Sequence, residues 1–317
     1  MKKVLITDGV HPLLAEGLQS MGFHCDYHPQ ITLAEVRQIV GQYDGLIINS
    51  KITVDVPLLE AGKKLRFVGR LGSGMEIIDQ PAARERGVAV LNSPEGNRNA
   101  VAEHALGMLL ALNNKLLVAD REVRANVWRR EQNRGREIMG STVGLIGFGH
   151  TGSSFAQKLV GMGVRILAYD KYKTNYTANF PQVEPVSLAS LCQNADIISL
   201  HLPLTVETRQ WIDADFLSGC KQGAILLNTS RGPIVKTADL VQALKDGQLG
   251  GACLDVFENE RPATFDASEN ALYDSLHRLP NVILSPHVAG WTAESKRRLA
   301  SVLLEKIADV LKQGKST

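Results

Sequence analysis

A glycine-rich turn near the middle of the chain constrains the fold more than any other segment. It follows the apolar run TVGLI and has glycines in GxGxxG spacing at Gly147, Gly149 and Gly152. A second apolar run, Val164–Tyr169, ends directly before Asp170, 18 positions after the last of these glycines. In α/β sheets the first glycine allows a tight turn, the second lets backbone approach a pyrophosphate, and the third lets helix pack on strand. An acid about 20 residues further on accepts hydrogen bonds from ribose hydroxyls, so the segment predicts a dinucleotide site.

Composition excludes several other classes of protein. A length of 317 residues favours two domains over one, and a net charge of +2 with 5% aromatic residues gives no argument for nucleic acid as a partner. Four cysteines without a C-x-x-C pair indicate neither a disulfide framework nor a metal site. The first residues, MKKVLITDG, are typical of a strand and not of a signal peptide, and no apolar run is long enough to span a membrane. We therefore expect a cytoplasmic protein.

Strand patterns alternate with helical patterns in two stretches of the chain. The predicted strands of the first stretch are Val4–Thr7, Phe23–Tyr27, Gly45–Asn49, Arg66–Gly69 and Val88–Leu91. Those of the second stretch are Val143–Ile146, Arg165–Tyr169, Asp196–Leu200, Ala224–Asn228, Gly251–Asp255 and Asn281–Leu284. A long apolar-striped helix is predicted from Ala100 to about Asn126, and a final helix from Ala293 to about Lys312.

This alternation predicts an α/β protein with two Rossmann-like, doubly wound parallel-sheet domains and the active site in the cleft between them. We expect residues 1–98, completed by residues 288–317, to form a substrate-binding domain. Residues 99–287 are expected to form the dinucleotide-binding Rossmann domain. Because Asp170 would repel a 2′-phosphate, the expected cofactor is NAD.

Three kinds of charged side chain follow predicted strands of the second stretch. Arg231 lies just after Ala224–Asn228, Glu260 follows Gly251–Asp255, and His287 comes after the last strand. Taken singly, each also fits a surface arginine, a solvated loop acid or a structural histidine. Together they fit redox chemistry on a small acid, because a guanidinium binds a carboxylate and an imidazole moves protons near neutral pH. A nearby carboxylate would fix the imidazole tautomer and favour the imidazolium.

Seven ordered motifs carry a family resemblance over nearly the whole chain. They are VGRLGSG (68–74), VAEHALGMLL (101–110), GFGHTG (147–152), HLPLTVET (201–208), NTSRG (228–232), LDVFENERP (254–262) and SPH (285–287). With these motifs the chain resembles the D-2-hydroxyacid dehydrogenase family. It is most similar to the phosphoglycerate dehydrogenase branch, in a short form without the C-terminal regulatory domain of longer relatives.

The resemblance implies a role for each matching residue. Arg231 would bind and polarise a keto acid, Glu260 would orient and tune the imidazole, and His287 would be the general acid/base. The residues implied to bind cofactor are Gly147, Gly149, His150, Thr151, Gly152, Asp170, Leu202, Pro203, Thr208, Thr229, Ser230, Arg231, Asp255, His287, Ala289 and Gly290. Those implied to bind substrate are Lys51, Arg70, Ser73, Gly74, Arg231 and His287.

The chain also departs from the phosphoglycerate branch. Asn49 stands where an arginine is usual, and Gly74-Met75-Glu76-Ile77 stands where the branch usually reads GxDN. Glu260 and His287 are 27 positions apart, further than expected. The leading hypothesis is an NAD-dependent D-3-phosphoglycerate dehydrogenase-like enzyme, with hydroxypyruvate or glyoxylate reduction as the alternative. An NAD(H)-responsive corepressor-like binding protein is the alternative of another class.

Two further expectations concern helical segments. A homodimer is expected to form through residues 100–136, where the apolar stripe is longer than one small domain needs. His104, inside the long helix, is expected to pack against or support the site and not to act on substrate itself.

Overall fold

The structure, a computed structural model, describes residues 2–313 of the chain. Its strands are β1 (Lys2–Ile6), β2 (Phe23–Tyr27), β3 (Gly45–Ile48), β4 (Phe67–Arg70), β5 (Ala89–Asn92), β6 (Thr142–Ile146), β7 (Arg165–Tyr169), β8 (Val183–Pro185), β9 (Ile197–Leu200), β10 (Ala224–Asn228), β11 (Leu249–Leu254) and β12 (Val282–Leu284). Its α-helices are α1 (Pro12–Ser20), α2 (Leu33–Ile39), α3 (Val56–Ala61), α4 (Gln80–Glu85), α5 (Pro94–Asn113), α6 (Leu116–Arg124), α7 (His150–Leu159), α8 (Leu188–Asn194), α9 (Ala214–Ser218), α10 (Thr237–Lys245), α11 (Ala267–His277) and α12 (Ala293–Gln313).

The chain divides into two compact units, one formed by residues 1–98 with 291–317 and the other by residues 99–290. The predicted segment 288–317 ends in residues 314–317, which lie outside the described residues. Unit 1 has a parallel sheet in the order β2-β1-β3-β4-β5. Its strands are apolar on both faces: Leu5 packs in the core on one side, while Val4 and Ile6 pack on the other. The last helix, α12, contributes Leu303 to that second core.

Unit 2 has a seven-stranded parallel sheet in the order β12-β11-β10-β9-β6-β7-β8. The order reverses direction between β6 and β9, which is the switch point of a doubly wound sheet. Ligands of such sheets bind beyond the carboxyl ends of the strands, at the switch point. Both sheets are parallel and flanked by helices, so the predicted fold class of two doubly wound α/β units is confirmed.

The predicted single helix from Ala100 to Asn126 is wrong in its extent. The structure has α5 and α6 instead, and the backbone between them turns at Lys115, which has a left-handed φ of 52°. Polar Asn113 and Asn114 directly precede that turn. The apolar stripe from which one long helix was predicted is therefore divided between two helices. No helix of residues 2–313 has both the length and the apolar character needed to cross a membrane.

Candidate active site

The glycine-rich turn joins β6 to α7 in unit 2, at the switch point of the sheet. Gly147 has a left-handed φ of 90°, and a Cβ there would overlap the carbonyl oxygen of His201. A Cβ on Gly152 would overlap the carbonyl oxygen of Gly147, because the first turn of α7 packs directly on the loop. In contrast, a Cβ on Gly149 would have no heavy atom within 4 Å. Gly147 and Gly152 are thus required for close packing. Gly149 borders open space at the helix N-terminus, where an anion is stabilised.

Asp170 follows β7 and is held beside this turn. Its Oδ2 accepts a hydrogen bond from the Phe148 amide at 2.7 Å, and its Oδ1 accepts from the amides of Tyr172 and Lys173 at 3.0 Å. The two neighbouring lysines are directed elsewhere: Lys171 pairs with Glu207, and the ammonium of Lys173 donates to the Phe148 carbonyl at 2.9 Å. The carboxylate is therefore oriented by main chain and has no direct lysine partner among the described residues.

The loop after β9 lies across the switch point from the glycine turn. Its first residue, His201, is buried, and burial lowers the pKa of its ring to about 3, so the ring is neutral. Leu202 is half-buried and Pro203 is exposed. The hydroxyl of Thr208 donates to the Pro203 carbonyl at 2.7 Å and folds the loop back on itself. Thr208 thereby shapes the loop that the family resemblance assigns to the cofactor.

The loop after β10 carries Thr229, Ser230 and Arg231. The amide oxygen of Asn228 accepts hydrogen bonds from both the amide and the hydroxyl of Ser230, at 3.0 and 2.8 Å. The Asn228 side-chain amide donates to the Arg231 carbonyl, and the guanidinium Nη1 of Arg231 donates to the Ser230 carbonyl at 2.7 Å. The strand end thus fixes the main chain on either side of the arginine. Asn228 was not singled out from the sequence, although its place at the end of a strand was a usable signal.

Glu260 and His287 form a hydrogen-bonded pair. Nδ1 of the imidazole lies 2.8 Å from Oε2 of Glu260, and the other carboxylate oxygen accepts from the Phe257 amide at 3.3 Å. Burial alone would raise the pKa of Glu260. The hydrogen bond and charge of His287, the Phe257 amide and the charge of Arg231 outweigh it, so the pKa is lowered. The carboxylate therefore accepts the Nδ1–H hydrogen, which leaves Nε2 as the atom that gains or loses a proton.

The longer stretch between Glu260 and His287 contains α11, which is bonded to the residue directly before Glu260. The amide of Asn259 donates to the hydroxyl of Tyr273 on that helix at 3.0 Å, and Tyr273 is 4% exposed. Burial raises the pKa of Tyr273, so it stays a neutral phenol. The extra length therefore anchors the residue directly before Glu260.

Asp255 ends β11 and is 1% exposed. Its carboxylate oxygens accept from the amides of Val288 and Ala289, both at 2.9 Å, and its own carbonyl accepts from the His287 amide at 2.7 Å. The hydroxyl of Ser285 donates to the same carboxylate at 2.6 Å. Asp255 is therefore the internal support of the loop that carries the imidazole.

The residues assigned to substrate from the N-terminal stretch lie at the carboxyl edge of the sheet in unit 1. Arg70 is the last residue of β4, and the loop after it carries Ser73 and Gly74. The Asn92 side chain donates to the Ser73 carbonyl at 2.8 Å. The exposed ammonium of Lys51 donates to the Pro29 carbonyl at 2.6 Å. The role of these four residues in substrate binding stays a prediction.

The unit with the glycine turn has features that fit a bound dinucleotide. The open space at Gly149 lies at the N-terminus of α7, and the oriented carboxylate of Asp170 lies beside the same turn. The hydroxyl of Thr229 is buried and has no hydrogen-bond partner within residues 2–313. A donor or acceptor from a ligand would satisfy that hydroxyl.

Comparisons with known proteins point to one family. Residues 106–289 match the model of the D-isomer specific 2-hydroxyacid dehydrogenase NAD-binding domain. A D-3-phosphoglycerate dehydrogenase of Synechocystis is 37% identical over 98% of this chain, which spans 54% of that relative. A hydroxypyruvate reductase of Thermotoga maritima is 36% identical over 86% of both chains.

Solved structures agree with the sequence comparisons. The D-lactate dehydrogenase of Aquifex aeolicus, solved with NAD and lactic acid, superposes with a TM-score of 0.83 at 26% identity, over 98% of this chain and 96% of that one. The chain thus spans nearly all of this solved relative, but only about half the length of the first curated relatives it matches.

Proposed function

Because this chain belongs to the D-isomer specific 2-hydroxyacid dehydrogenase family, we propose that it interconverts a 2-hydroxy acid and the corresponding 2-keto acid with NAD as cofactor. NAD, when bound, accepts or supplies the hydride. The observation that carries the proposal is the Glu260–His287 pair at 2.8 Å. It lies in the same unit as Arg231 and the glycine turn.

His287 transfers the proton in this proposal. Since Nδ1 is occupied by Glu260, Nε2 removes the hydroxyl proton during oxidation and returns a proton to the carbonyl oxygen during reduction. Glu260 stabilises the imidazolium that forms during oxidation and keeps the ring from rotating. The low pKa of Glu260 keeps its charge available throughout the neutral range.

Arg231 binds the acid. A guanidinium has five N–H donors in a planar fork that matches a carboxylate, and such charged hydrogen bonds contribute about 1.5–3 kcal/mol each. The main chain around Arg231 is fixed by Asn228, so the position of the guanidinium is set by the end of β10. Its positive charge would also polarise an adjacent carbonyl.

Asp170 sets the preference between the two nicotinamide dinucleotides. Its oriented carboxylate accepts hydrogen bonds from ribose hydroxyls and repels a 2′-phosphate. Lys171 and Lys173, the cations nearest in sequence, are bonded to Glu207 and to a main-chain carbonyl. We therefore expect higher catalytic efficiency with NAD than with NADP; equal efficiencies would contradict this assignment.

The substrate is proposed to be 3-phosphoglycerate or its keto acid, with hydroxypyruvate or glyoxylate as the alternative. The similarity to phosphoglycerate dehydrogenases over 98% of the chain supports the first. Two observations favour the alternative: Asn49 replaces a usual arginine, and the ammonium of Lys51 is bonded to Pro29. A phosphate needs charged donors, so Arg70 is the residue on which the first choice depends.

A homodimer formed through the segment 100–136 is supported by an exposed apolar surface. Leu116 and Val123, seven positions apart on α6, are 54% and 51% exposed, and Trp128 is 78% exposed. Side chains of this size exposed in one segment indicate a protein contact. Sedimentation of the protein at micromolar concentration should give the mass of a dimer, and a Leu116→Lys variant should shift it toward the monomer.

Turnover of a panel of keto acids tests the proposed function. Purified protein should oxidise NADH with phosphohydroxypyruvate, hydroxypyruvate or glyoxylate, and the ratio of kcat/KM values among them identifies the substrate. His287→Ala serves as the control for contaminating activity. If NADH binds but no keto acid is turned over, the NAD(H)-responsive binding protein is the correct alternative.

A further inference from the structure

A chain of polar side chains runs behind the loop that carries His287, and the proton-transfer chemistry does not use it directly. One end is the buried Asp255 carboxylate. The middle member is the Ser285 hydroxyl, four residues before Ala289, and the other end is His104, which lies on α5 and is 181 positions away from Ser285 in sequence. Helix α5 is thereby bonded to the loop after β12 within unit 2.

The hydrogen positions in this chain follow from the donors and acceptors. The Ser285 hydroxyl lies 2.6 Å from Asp255 Oδ1, and because a carboxylate only accepts, the hydroxyl hydrogen points to it. His104 Nε2 lies 2.9 Å from the same hydroxyl oxygen, so Nε2 carries a hydrogen and donates it. The chain therefore runs in one direction, from His104 through Ser285 to Asp255. Nε2 is also 3.6 Å from Asp255 Oδ1.

The Asp255 end of this series of hydrogen-bonded side chains holds His287 in an unusual backbone conformation. His287 has a left-handed φ of 55°, which a residue with a Cβ rarely adopts without external support. That support comes from Asp255: its carbonyl holds the His287 amide, and its carboxylate holds the next two amides, those of Val288 and Ala289. Whatever orients the Asp255 carboxylate therefore also orients His287.

We infer that His104 and Ser285 are positioning residues that fix His287 for proton transfer through the Asp255 carboxylate. The inference rests on the proposed function for its kinetic consequence, but its geometric part concerns the loop alone. His104 acts from a distance and touches neither substrate nor reacting atoms in this assignment. Its side chain is 27% exposed, so the ring can be replaced without opening a large cavity.

The kinetic test compares two replacements of His104 with a matched control. His104→Ala should lower kcat by about 10-fold, the usual consequence of losing one hydrogen bond to a buried group. The KM for NADH should change little. His104→Gln can still donate an N–H to Ser285 and should restore kcat to within about 3-fold of the unmutated enzyme. His277→Ala, an exposed histidine of the same unit, should leave kcat unchanged. A kcat for His104→Ala equal to that of the control would overturn the inference.

A second measurement does not depend on turnover. In histidine-labelled protein without ligand, the imidazole NMR signal of His287 should move in His104→Ala and in Ser285→Ala but not in His277→Ala. The Val288 and Ala289 amide protons should also exchange faster in the first two variants. Unchanged signals and exchange rates would refute the positioning role even in an active enzyme. Conversely, shifted signals in a protein that turns over no keto acid would refute the proposed function and leave the positioning role intact.

Discussion

The carboxyl edges of the two sheets are built differently, although both carry residues assigned to one reaction. In unit 2, His287 is bonded to Glu260, and the loop around it is bonded to Asp255. In unit 1, the exposed ammonium of Lys51 is bonded to the Pro29 carbonyl, and Arg70 stands at the end of β4. In unit 2 the side chains of the proposed proton-transfer pair hold each other, whereas in unit 1 the ammonium of Lys51 is held by a main-chain carbonyl.

This difference separates the chemistry from the choice of substrate. A proton transfer needs a donor held within a few tenths of an ångström, which requires several bonds to the same side chain and its loop. A phosphate or a hydroxymethyl group needs only a suitable charge or space. Side chains that are not bonded to one another can be exchanged without disturbing the rest of the sheet edge. Asn49 in place of the usual arginine is an exchange of that kind.

The largest expected effect comes from removing the His287 imidazole at the carboxyl edge of the unit 2 sheet. His287→Ala should lower kcat by about 10²–10⁴-fold, the usual contribution of a positioned acid/base. NADH binding, measured by fluorescence titration, should stay within about 2-fold, because the backbone amide of residue 287 still donates to Asp255. A loss of NADH binding as large as the loss of kcat would show that the variant has lost the loop and not only the proton-transfer group.

Much of this edge could be predicted from sequence, because parallel strands bring their carboxyl ends to the same side of a sheet. The strands Arg165–Tyr169 and Ala224–Asn228 have their predicted bounds, and so the positions of Asp170 and Arg231 at strand ends were accessible. The contact of Glu260 with His287, implied by the family resemblance, is present.

Other features depend on the folded chain and could not be obtained from local patterns. The hydrogen bond from His104 to Ser285 joins residues 181 positions apart, and no periodicity of α5 indicates it. The left-handed turn at Lys115 was missed because the apolar stripe continues beyond it. In unit 1, the position of Lys51 was predicted but not the direction of its ammonium, which depends on a carbonyl 22 positions earlier.

A second prediction concerns the cation of unit 1. Arg70→Ala should raise the KM for 3-phosphoglycerate by about 10–100-fold, the equivalent of one or two charged hydrogen bonds. The KM for glyoxylate, which has no phosphate, should rise less than 3-fold by the same reasoning. An equal rise for both substrates would show that Arg70 binds the shared carboxylate or supports the loop. No turnover of 3-phosphoglycerate by the unmutated protein would favour the reductase alternative.

The third prediction concerns Glu260→Gln, which removes a charge beside His287 and keeps the shape of the side chain. Glu260→Gln removes the carboxylate that stabilises the His287 imidazolium, so the proton leaves at lower pH. Reduction, which needs the imidazolium, should lose rate at a lower pH than before, and oxidation, which needs neutral imidazole, should gain rate over the same lower range. Both profiles should move by about one pH unit, the lower end of the effect of an adjacent opposite charge.

The pKa of Glu260 in the unmutated enzyme sets the pH range in which its carboxylate can stabilise the imidazolium. The pKa of Glu260 lies below its usual range, so the carboxylate stays charged at neutral pH and its support of the imidazolium is lost only as pH falls through that lowered pKa. Profiles that do not move in Glu260→Gln would contradict the pairing. Glu258 would then be tested, although its carboxylate already accepts the Thr237 amide at 2.6 Å and a hydrogen bond from Gln210.

The smallest expected effect is that of replacing Lys51, at the carboxyl edge of the unit 1 sheet. Lys51 is exposed, and its ammonium already donates to Pro29, so any contribution to a phosphate would come mainly through charge in water. An exposed charge interaction contributes about 0–1 kcal/mol, so Lys51→Ala should raise the KM for 3-phosphoglycerate by about 5-fold at most. Because exposed charges are screened by salt, the difference between Lys51→Ala and the unmutated enzyme should vanish at high ionic strength. Lys51→Arg, which keeps the charge, should behave as the unmutated enzyme at both salt concentrations. An increase in KM as large as that of Arg70→Ala and independent of salt would show that Lys51 leaves Pro29 to bind the phosphate directly. The phosphate contacts at this edge of unit 1 would then form only when substrate binds.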